Sequence, residues 1–259
     1  MGEKTLIAWT DHTWNLAWGC AKVSPGCANC YAAEKAASMG YDLWRNGQRR
    51  TFGETNWAKP VAWNKLAERT PGLLGEGFPH LIFSSSMADN FEDNPTIRGE
   101  LKKLWPLIRS TPNLIWQIAT KRPENIQANL PEDWGNGYEN VWLGVSVENS
   151  QYSYRIDELR KIPATLRFIS YEPALGPLDK VDLSDIGWLI YGGESGPKHR
   201  GHDIEWPRSM RDRCLSEGIP FFFKQSPARY TETGITLDGQ LTRQFPTSKI
   251  SPLRKLELF

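Results

Sequence analysis

Three of the four cysteines are close together in the sequence, with a spacing that is typical of metal ligands. Six residues separate Cys20 from Cys27 and two separate Cys27 from Cys30, and the intervening Pro-Gly pair predicts a turn that brings the first thiolate back toward the others. In a reducing compartment such a group binds zinc or an iron-sulfur cluster. Cys214 stands alone, four residues after Met210 in a predicted helix, and we interpret it as a buried apolar side chain.

The two kinds of metal site predict different chemistry. Zinc needs a fourth ligand, for which His12 is the obvious candidate, and a site of three cysteines and one histidine would be closed and structural. A four-iron cluster on three cysteines leaves one iron without a protein ligand, so that this iron can chelate a small molecule. The cysteine spacing leaves both alternatives open.

Repeated strand and helix patterns predict the elements that position these thiols. Several of the apolar runs are too apolar to have one face in water, as expected for a parallel sheet that is covered on both sides. The fold class is therefore α/β, a partial or complete parallel βα barrel of the TIM type, with a doubly wound open sheet as the alternative. The predicted strands are residues 81–85, 114–119, 141–147, 166–170, 188–191 and 220–223, and the predicted helices are residues 96–109, 152–161 and 207–217.

The chain is predicted to form one domain, because no interdomain linker or low-complexity tract interrupts it. We expect a barrel over residues 1–225, with the cysteine segment at 12–31 and an insertion at 40–79. Residues 226–259 are predicted to be a C-terminal extension that caps the barrel.

Polar side chains follow each predicted strand. The carboxyl ends of parallel strands meet at one edge of a sheet, where α/β proteins bind ligands, so we expect these side chains to converge. They are Ser85 to Asn90, Thr120 to Arg122, Ser146 to Asn149, Tyr171 to Pro173, Gly192 to Gly196, and Lys224 with Gln225.

Composition and charge set limits on the class of protein. The 259 residues include 31 Lys and Arg against 30 Asp and Glu, so the net charge of +1 gives no sign of a nucleic-acid or membrane partner. Any basic patch must be local. No apolar run approaches the roughly 20 residues of a membrane helix, and no signal peptide pattern is present, so we expect a cytoplasmic protein. The candidate patch residues are Lys121, Arg122, His199, Arg200, Arg208, Arg211 and Arg213.

Several sequence blocks resemble, in order, those of a phage-associated three-cysteine family of unknown function that is named after two phage gene products. The resemblance covers nearly the whole chain. The blocks are TWN at 13–15, WGC at 18–20, KVSPGC at 22–27, CYA at 30–32, TKRPE at 120–124, GVSVE at 144–148, SYEP at 170–173, GGESG at 192–196, PFFFKQ at 220–225 and LDG at 237–239.

That family is similar to radical SAM enzymes, which implies a partial βα barrel and a 4Fe-4S cluster on Cys20, Cys27 and Cys30. It also implies S-adenosylmethionine (SAM) on the open iron and its reductive cleavage to a 5'-deoxyadenosyl radical. The spacing here, six residues and then two, departs from the usual radical SAM spacing of three and then two. The residues predicted to bind the cofactor are Tyr31, Ser85, Ser146, Glu148, Glu172, Gly192, Gly193 and Glu194.

The substrate predictions rest on charge and on the phage association. Lys121, Arg122 and Lys224 are candidates to bind an anionic substrate, and the phage association favours a nucleic acid or nucleotide. Three tryptophans of the insertion would stack on bases. The resemblance also implies a separately encoded partner protein, and no catalytic residue is assigned. The tryptophans are Trp44, Trp57 and Trp63.

Two alternative functions are consistent with the same residues. One is a non-enzymatic binding module that zinc stabilises. The other is an interaction protein that retains the cluster as a structural or sensing element and works with the partner.

Overall fold

A parallel β-sheet forms the centre of the computed structural model, which describes residues 5–178, 180–250 and 252–253. Residues 1–4 and 179 of the predicted barrel, and residues 251 and 254–259 of the predicted extension, lie outside the described residues. The strands are β1 (His12–Trp14), β2 (Ala17–Trp18), β3 (Arg50–Thr51), β4 (His80–Ser84), β5 (Leu114–Thr120), β6 (Val141–Ser146), β7 (Leu166–Tyr171), β8 (Trp188–Gly192) and β9 (Phe221–Gln225).

Helices occupy most connections between the strands. The α-helices are α1 (Tyr31–Ser38), α2 (Glu54–Ala67), α3 (Pro95–Arg109), α4 (Ile126–Asn129), α5 (Tyr154–Arg160) and α6 (Glu205–Glu217). Single 3-10 turns lie at Pro25–Cys27, Pro123–Asn125, Ser150–Tyr152 and Thr247–Lys249.

The main sheet is a curled half-barrel with β1 and β9 at its edges. Within the described residues it has seven strands in the order β1-β4-β5-β6-β7-β8-β9, and each neighbouring pair is parallel. The order rises along the chain without reversal. A doubly wound sheet reverses its order at a switch point, so this topology is that of a partial βα barrel and confirms the predicted fold class.

Alternating side chains give the sheet two different faces. Leu143 and Val145 of β6 pack on the convex face together with the helices, whereas Trp142 faces the concave side with Phe168 and Trp188. No side chain would fit at Gly144, since a Cβ there would lie 2.4 Å from the Phe168 ring. The lower part of the concave face is thus filled by aromatic rings, and only its carboxyl end is polar.

The predicted strands correspond to β4 through β9, and the predicted helices to α3, α5 and α6. Helix α3 begins at Pro95 because the Asn94 side chain accepts hydrogen bonds from the amides of Thr96 and Ile97. It buries the apolar stripe that predicted it, which includes Leu101 and Leu104. The short strands β1 to β3 have no such periodic pattern, and helix α2 forms within the predicted insertion and packs against β4 and β5.

The segment after β9 runs back along that edge strand. The amide of Phe223 donates to the carbonyl of Thr242 at 2.7 Å, and the Trp188 indole donates to the carbonyl of Gln244 at 2.9 Å. The Phe245 ring packs on Trp188 and Phe222, near the amino ends of β8 and β9. These contacts lie at the end of the sheet opposite its polar edge.

No helix in the described part of the chain has both the length and the apolar character that a membrane span requires.

Candidate functional site

One cleft at the carboxyl edge of the sheet collects the three clustered cysteines and side chains from the ends of six strands. Trp9, Phe83 and Ala119 form its apolar floor. The polar residues that line it are Lys22, Asn29, Tyr31, Ser85, Ser86, Asp89, Thr120, Lys121, Arg122, Ser146, Ser170, Glu172, Glu194, Ser195 and Lys224.

The cysteine segment crosses this edge as a loop between β2 and α1. Cys20 comes shortly after β2, Cys27 ends a 3-10 turn, and Cys30 is the N-cap of α1. All three are free thiols that reach the cleft and are partly exposed. Cys214 is also free, but it is fully buried in α6 among convex-face apolar side chains, in agreement with its interpretation as an apolar residue.

Cys20 faces a guanidinium that is held by acidic side chains. Nη1 of Arg122 lies 3.5 Å from the Cys20 sulfur and 3.0 Å from Oδ2 of Asp89. Nη2 of the same arginine donates to the carbonyl of Ala21 at 2.7 Å. Burial and the Asp89 carboxylate together raise the pKa of the Cys20 thiol to about 12, although Arg122 opposes the shift.

Cys27 faces an ammonium that is held by a carboxylate. Nζ of Lys121 lies 3.9 Å from the Cys27 sulfur and 2.8 Å from Oε1 of Glu148. Burial works against ionisation of Cys27, but the charge of Lys121 and hydrogen bonds from the Val23 and Ser24 region outweigh it and lower the pKa of this thiol. Burial raises the pKa of the Cys30 thiol.

Glu148 joins the cysteine loop to the sheet and to α5. Its carboxylate is fully buried and receives charged donors from Lys121 and from Nη1 of Arg155, the latter at 2.9 Å. The Ser24 hydroxyl donates to the same carboxylate. Burial opposes the charge on Glu148, and these partners together lower its pKa. Gly26 permits this approach, since a Cβ there would lie 2.6 Å from Oε1 of Glu148.

Glu194 makes a second connection between the loop and the sheet. Asn29, which lies between two of the cysteines, donates to Oε2 of Glu194 at 3.1 Å. Arg200 pairs with the same carboxylate at 2.5 Å and donates to the carbonyl of Pro25 at 3.0 Å. Burial opposes the charge on Glu194, but the hydrogen bonds from Arg200 and Asn29 lower its pKa.

The structure brings most of the predicted cofactor-binding residues to the cleft. Glu148 and Gly192 are exceptions, since neither lines it. Gly192 lies behind Glu172, whose side chain a Cβ would contact at 2.7 Å. Their assignment to cofactor binding stays a prediction, as does that of the residues that do line the cleft, which are Tyr31, Ser85, Ser146, Glu172, Gly193 and Glu194.

The predicted substrate cations also line the cleft, and each is paired with a carboxylate. Lys224 of β9 pairs with Glu172, while Lys121 and Arg122 pair with the acids described above. The larger basic patch predicted from the sequence does not converge. Three of its arginines lie on α6 and pair with acids there or with Asp238; they are Arg208, Arg211 and Arg213.

The structure does not bring His12 to the cysteines. Its Nε2 lies 3.1 Å from Nδ1 of His80, and its ring stacks on Trp63 outside the cleft. Zinc binds sulfur at about 2.3 Å, so thiolates that share one zinc ion must be nearly in contact. Within the described ranges, no three His, Cys, Asp or Glu side chains are grouped so that they could hold a metal ion.

Of the three tryptophans predicted to stack on bases, only Trp44 lines the cleft. Trp57 and Trp63 are partly buried against the convex-face core. Sequence reasoning missed Ser24 and Glu92, whose roles depend on contacts with residues far away in the chain. It also missed Arg155, which meets Glu148 because α5 packs beside β6. It also missed Ser170, which the alternation from Phe168 along β7 could have placed on the concave face.

A family model described as "Protein of unknown function (DUF5131)" matches residues 4–246, which is nearly the whole chain. The chain belongs to this family. The predicted membership of a family of unknown function is thereby confirmed. No curated protein matches this DUF5131 chain.

Among solved structures, the DUF5131 chain is similar to spore photoproduct lyase. One match is a mutant with bound AdoMet and dinucleoside spore photoproduct, at a TM-score of 0.45 and 15% identity, covering 79% of this chain and 61% of that one. Another is the lyase complexed with dinucleoside spore photoproduct, at a TM-score of 0.44 and 14% identity, with the same coverage. The DUF5131 chain thus spans only 61% of these lyase chains.

Thiols are the usual ligands of iron-sulfur clusters, and the DUF5131 cleft presents three of them. They belong to one loop, and three cysteine ligands would leave one iron of a four-iron cluster without a protein ligand. The ammonium of Lys121 favours the Cys27 thiolate by lowering its pKa, whereas around Cys20 burial and Asp89 outweigh the guanidinium of Arg122. The remaining cleft wall offers hydroxyls and carboxylates to a polar small molecule.

Proposed function

We propose that this protein is a radical SAM-like enzyme that acts on a nucleic acid or nucleotide. The observation that carries the proposal is the convergence in one cleft of Cys20, Cys27 and Cys30 with polar side chains from the carboxyl ends of the strands. In a barrel-type sheet this edge is where substrates and cofactors bind.

The three cysteines would hold a 4Fe-4S cluster with one open iron, and SAM would bind beside it. When bound, this pair supplies one-electron reductive cleavage of SAM. The loop connections through Ser24, Gly26 and Asn29 fix the thiols against β6 and β8, so that they keep their positions as a ligand enters. The apolar floor of the cleft excludes water below the site.

Ser146 and Ser170 are placed to orient the polar groups of SAM. Both hydroxyls belong to the concave side of the sheet, and within the described residues neither side chain makes a hydrogen bond. Glu172 lies next to them, and its pairing with Lys224 orients its carboxylate at the end of β7. Tyr31 and Glu194 also line the cleft. The Tyr31 hydroxyl donates to the carbonyl of Ser86 at 2.8 Å.

Uncompensated cations and an aromatic ring at the cleft support the substrate class. Lys22 and Lys198 lie in or beside the cysteine loop, and neither side chain has an ion pair in the part of the chain that the structure describes. Trp44 presents a ring on which a base can stack. A phosphate backbone would bind these ammonium groups, with Lys224 deeper in the cleft.

Anaerobic purification and reconstitution test the cofactor assignment. We expect about four irons and four sulfides per chain, and an electron paramagnetic resonance (EPR) spectrum of the reduced protein that changes when SAM is added. Cys27→Ala should lose the cluster, whereas Cys214→Ala should retain it. Stoichiometric zinc without iron, or iron loss in both variants, would refute the assignment.

Oligonucleotide binding tests the substrate class. The anisotropy of a fluorescent single-stranded oligonucleotide should report binding that weakens steeply as salt rises, because phosphate contacts release counterions. Lys22→Ala should reduce the salt dependence, while Lys161→Ala, which removes an exposed lysine directly after α5, should not. Binding without any salt dependence would exclude a phosphate-binding cleft.

A further inference from the structure

Two of the three candidate ligand sulfurs have a cation within 4 Å. Nζ of Lys121 lies 3.9 Å from the Cys27 sulfur, and Nη1 of Arg122 lies 3.5 Å from the Cys20 sulfur. Lys121 and Arg122 are consecutive residues that follow β5, and their side chains diverge to these two sulfurs. Among the described side chains, no cation makes a hydrogen bond to the Cys30 sulfur.

The Lys121 ammonium is held where it is by a fully buried carboxylate. Its side chain is 18% exposed and pairs at 2.8 Å with Glu148, which has no exposure at all. Glu148 is also paired with Arg155, so two cations share one carboxylate at this position. The group of Lys121, Glu148 and Arg155 therefore carries a net charge of +1, and its Lys121 ammonium lies 3.9 Å from the Cys27 sulfur.

A positive group in this place has a defined effect on a redox centre. Reduction by one electron adds one negative charge to a cluster, and the reduced form is stabilised by a nearby cation and by N–H donors to the sulfurs. Because Lys121 is largely withdrawn from solvent, water and salt screen its charge less than that of a surface lysine.

We propose that Lys121 is a positioning residue of the cluster, which orients the Cys27 thiolate and makes the cluster easier to reduce. The inference rests on the proposed function, since it requires a cluster on these cysteines. It assigns Lys121 to the cofactor side of the cleft, because Glu148 and the Cys27 sulfur already take its donors. Lys22 and Lys198, which have no ion pair among the described residues, remain as candidates for the substrate.

The midpoint potential of the reconstituted protein tests this role. Lys121→Met removes the charge but leaves Glu148 paired with Arg155, so no buried carboxylate is left alone. We expect this variant to bind iron as the wild type does, with a reduction equilibrium at least tenfold less favourable, which is 59 mV for one electron. EPR-monitored redox titration with a chemical reductant measures the potential without substrate turnover.

Three further variants keep the result interpretable. Lys121→Arg keeps the charge, so its midpoint potential should stay near that of the wild type. Lys121→Gln removes the charge but keeps a hydrogen-bond donor, and its midpoint potential should shift as that of Lys121→Met does. Lys22→Met removes an equal charge from an exposed side chain of the cysteine loop and should shift the midpoint potential little.

The possible failures are distinguishable. An iron-loaded Lys121→Met or Lys121→Gln protein with the wild-type potential would overturn the role of Lys121 and leave the proposed function intact. An equal shift in Lys22→Met would also overturn it, because any nearby charge would then have the same effect. A wild-type chain that binds no iron under reconstitution would overturn both.

Discussion

The hydroxyl of Ser24 donates a hydrogen bond to Glu148, although the two residues are 124 positions apart in the chain. Ser24 lies in the cysteine loop, whereas Glu148 follows β6 and is fully buried. Through this contact a carboxylate that the sequence predicts to bind the cofactor also supports the loop that carries the thiols.

Replacing this carboxylate should destabilise the fold. Glu148→Gln would leave the buried cations of Lys121 and Arg155 without a negative partner, and breaking a buried ion pair in this way costs about 3–5 kcal/mol. Urea denaturation followed by circular dichroism measures the change in the free energy of unfolding.

The matched control for Glu148→Gln is Glu158→Gln on α5, where the carboxylate pairs with an exposed lysine. Removing an exposed pair of this kind changes stability by less than about 1 kcal/mol. Equal effects of the two substitutions would show that Glu148 is not an ion-paired support of the loop.

Gly26 is expected to tolerate no side chain. In Gly26→Ala the new Cβ would lie 2.6 Å from Oε1 of Glu148 and 2.8 Å from Nζ of Lys121, so either the turn or this buried ion pair must shift. We expect a loss of about 1–3 kcal/mol, as for other overpacked sites, together with reduced iron content after reconstitution. Gly201→Ala, where a Cβ would meet no atom within 4 Å, is the control. Unchanged iron content in Gly26→Ala would contradict the packing described for this turn.

The sequence predicts the central sheet because the strands of a covered parallel sheet leave a strong local signal. The runs at β4 through β9 are mostly apolar, with few interruptions such as Gln117 and Arg167, and the polar residues after them mark the carboxyl edge. The cysteine spacing is a local signal of the same kind. These patterns suffice for the fold class and for the place of the cleft.

The remaining features depend on contacts that no local pattern contains. Strand β1 has only three residues, and it is a strand because it pairs with β4 across a long connection. His12 is close to Cys20 in sequence, but its position at the start of β1 directs it to His80 instead. The partnership of Glu148 with Arg155 becomes visible only once α5 has packed beside β6.

The four thiols should differ in reactivity in metal-free protein. The thiolate is the nucleophile, so a thiol with a lowered pKa keeps its reactivity to lower pH. Lys121 and local hydrogen bonds lower the pKa of Cys27 in spite of burial, whereas burial raises the pKa of Cys214 to about 12. We expect iodoacetamide to modify Cys27 first near neutral pH and Cys214 only after unfolding.

Peptide mass spectrometry after timed alkylation gives the rate at each cysteine. Lowering the pH should slow the modification of Cys20, whose pKa is raised to about 12, before it slows that of Cys27. Modification of Cys20 ahead of Cys27 in the folded protein would contradict the charge arrangement around the loop.

The segment after β9 should contribute to the stability of the barrel without affecting the proposed cluster site. Phe245 packs with ring centroids 5.6 Å from Trp188 and 5.4 Å from Phe222, at the end of the sheet away from the cysteines. Phe245→Ala removes these contacts from a partly buried ring, and we expect a loss of about 3 kcal/mol, near the lower limit for aromatic truncations.

Thermal unfolding and iron content together test whether this segment affects stability alone. Tyr230→Ala is the control, because that ring is 70% exposed. A Phe245→Ala protein with wild-type stability would mean that this segment is not part of the core, and lost iron at normal stability would mean that it acts on the cleft.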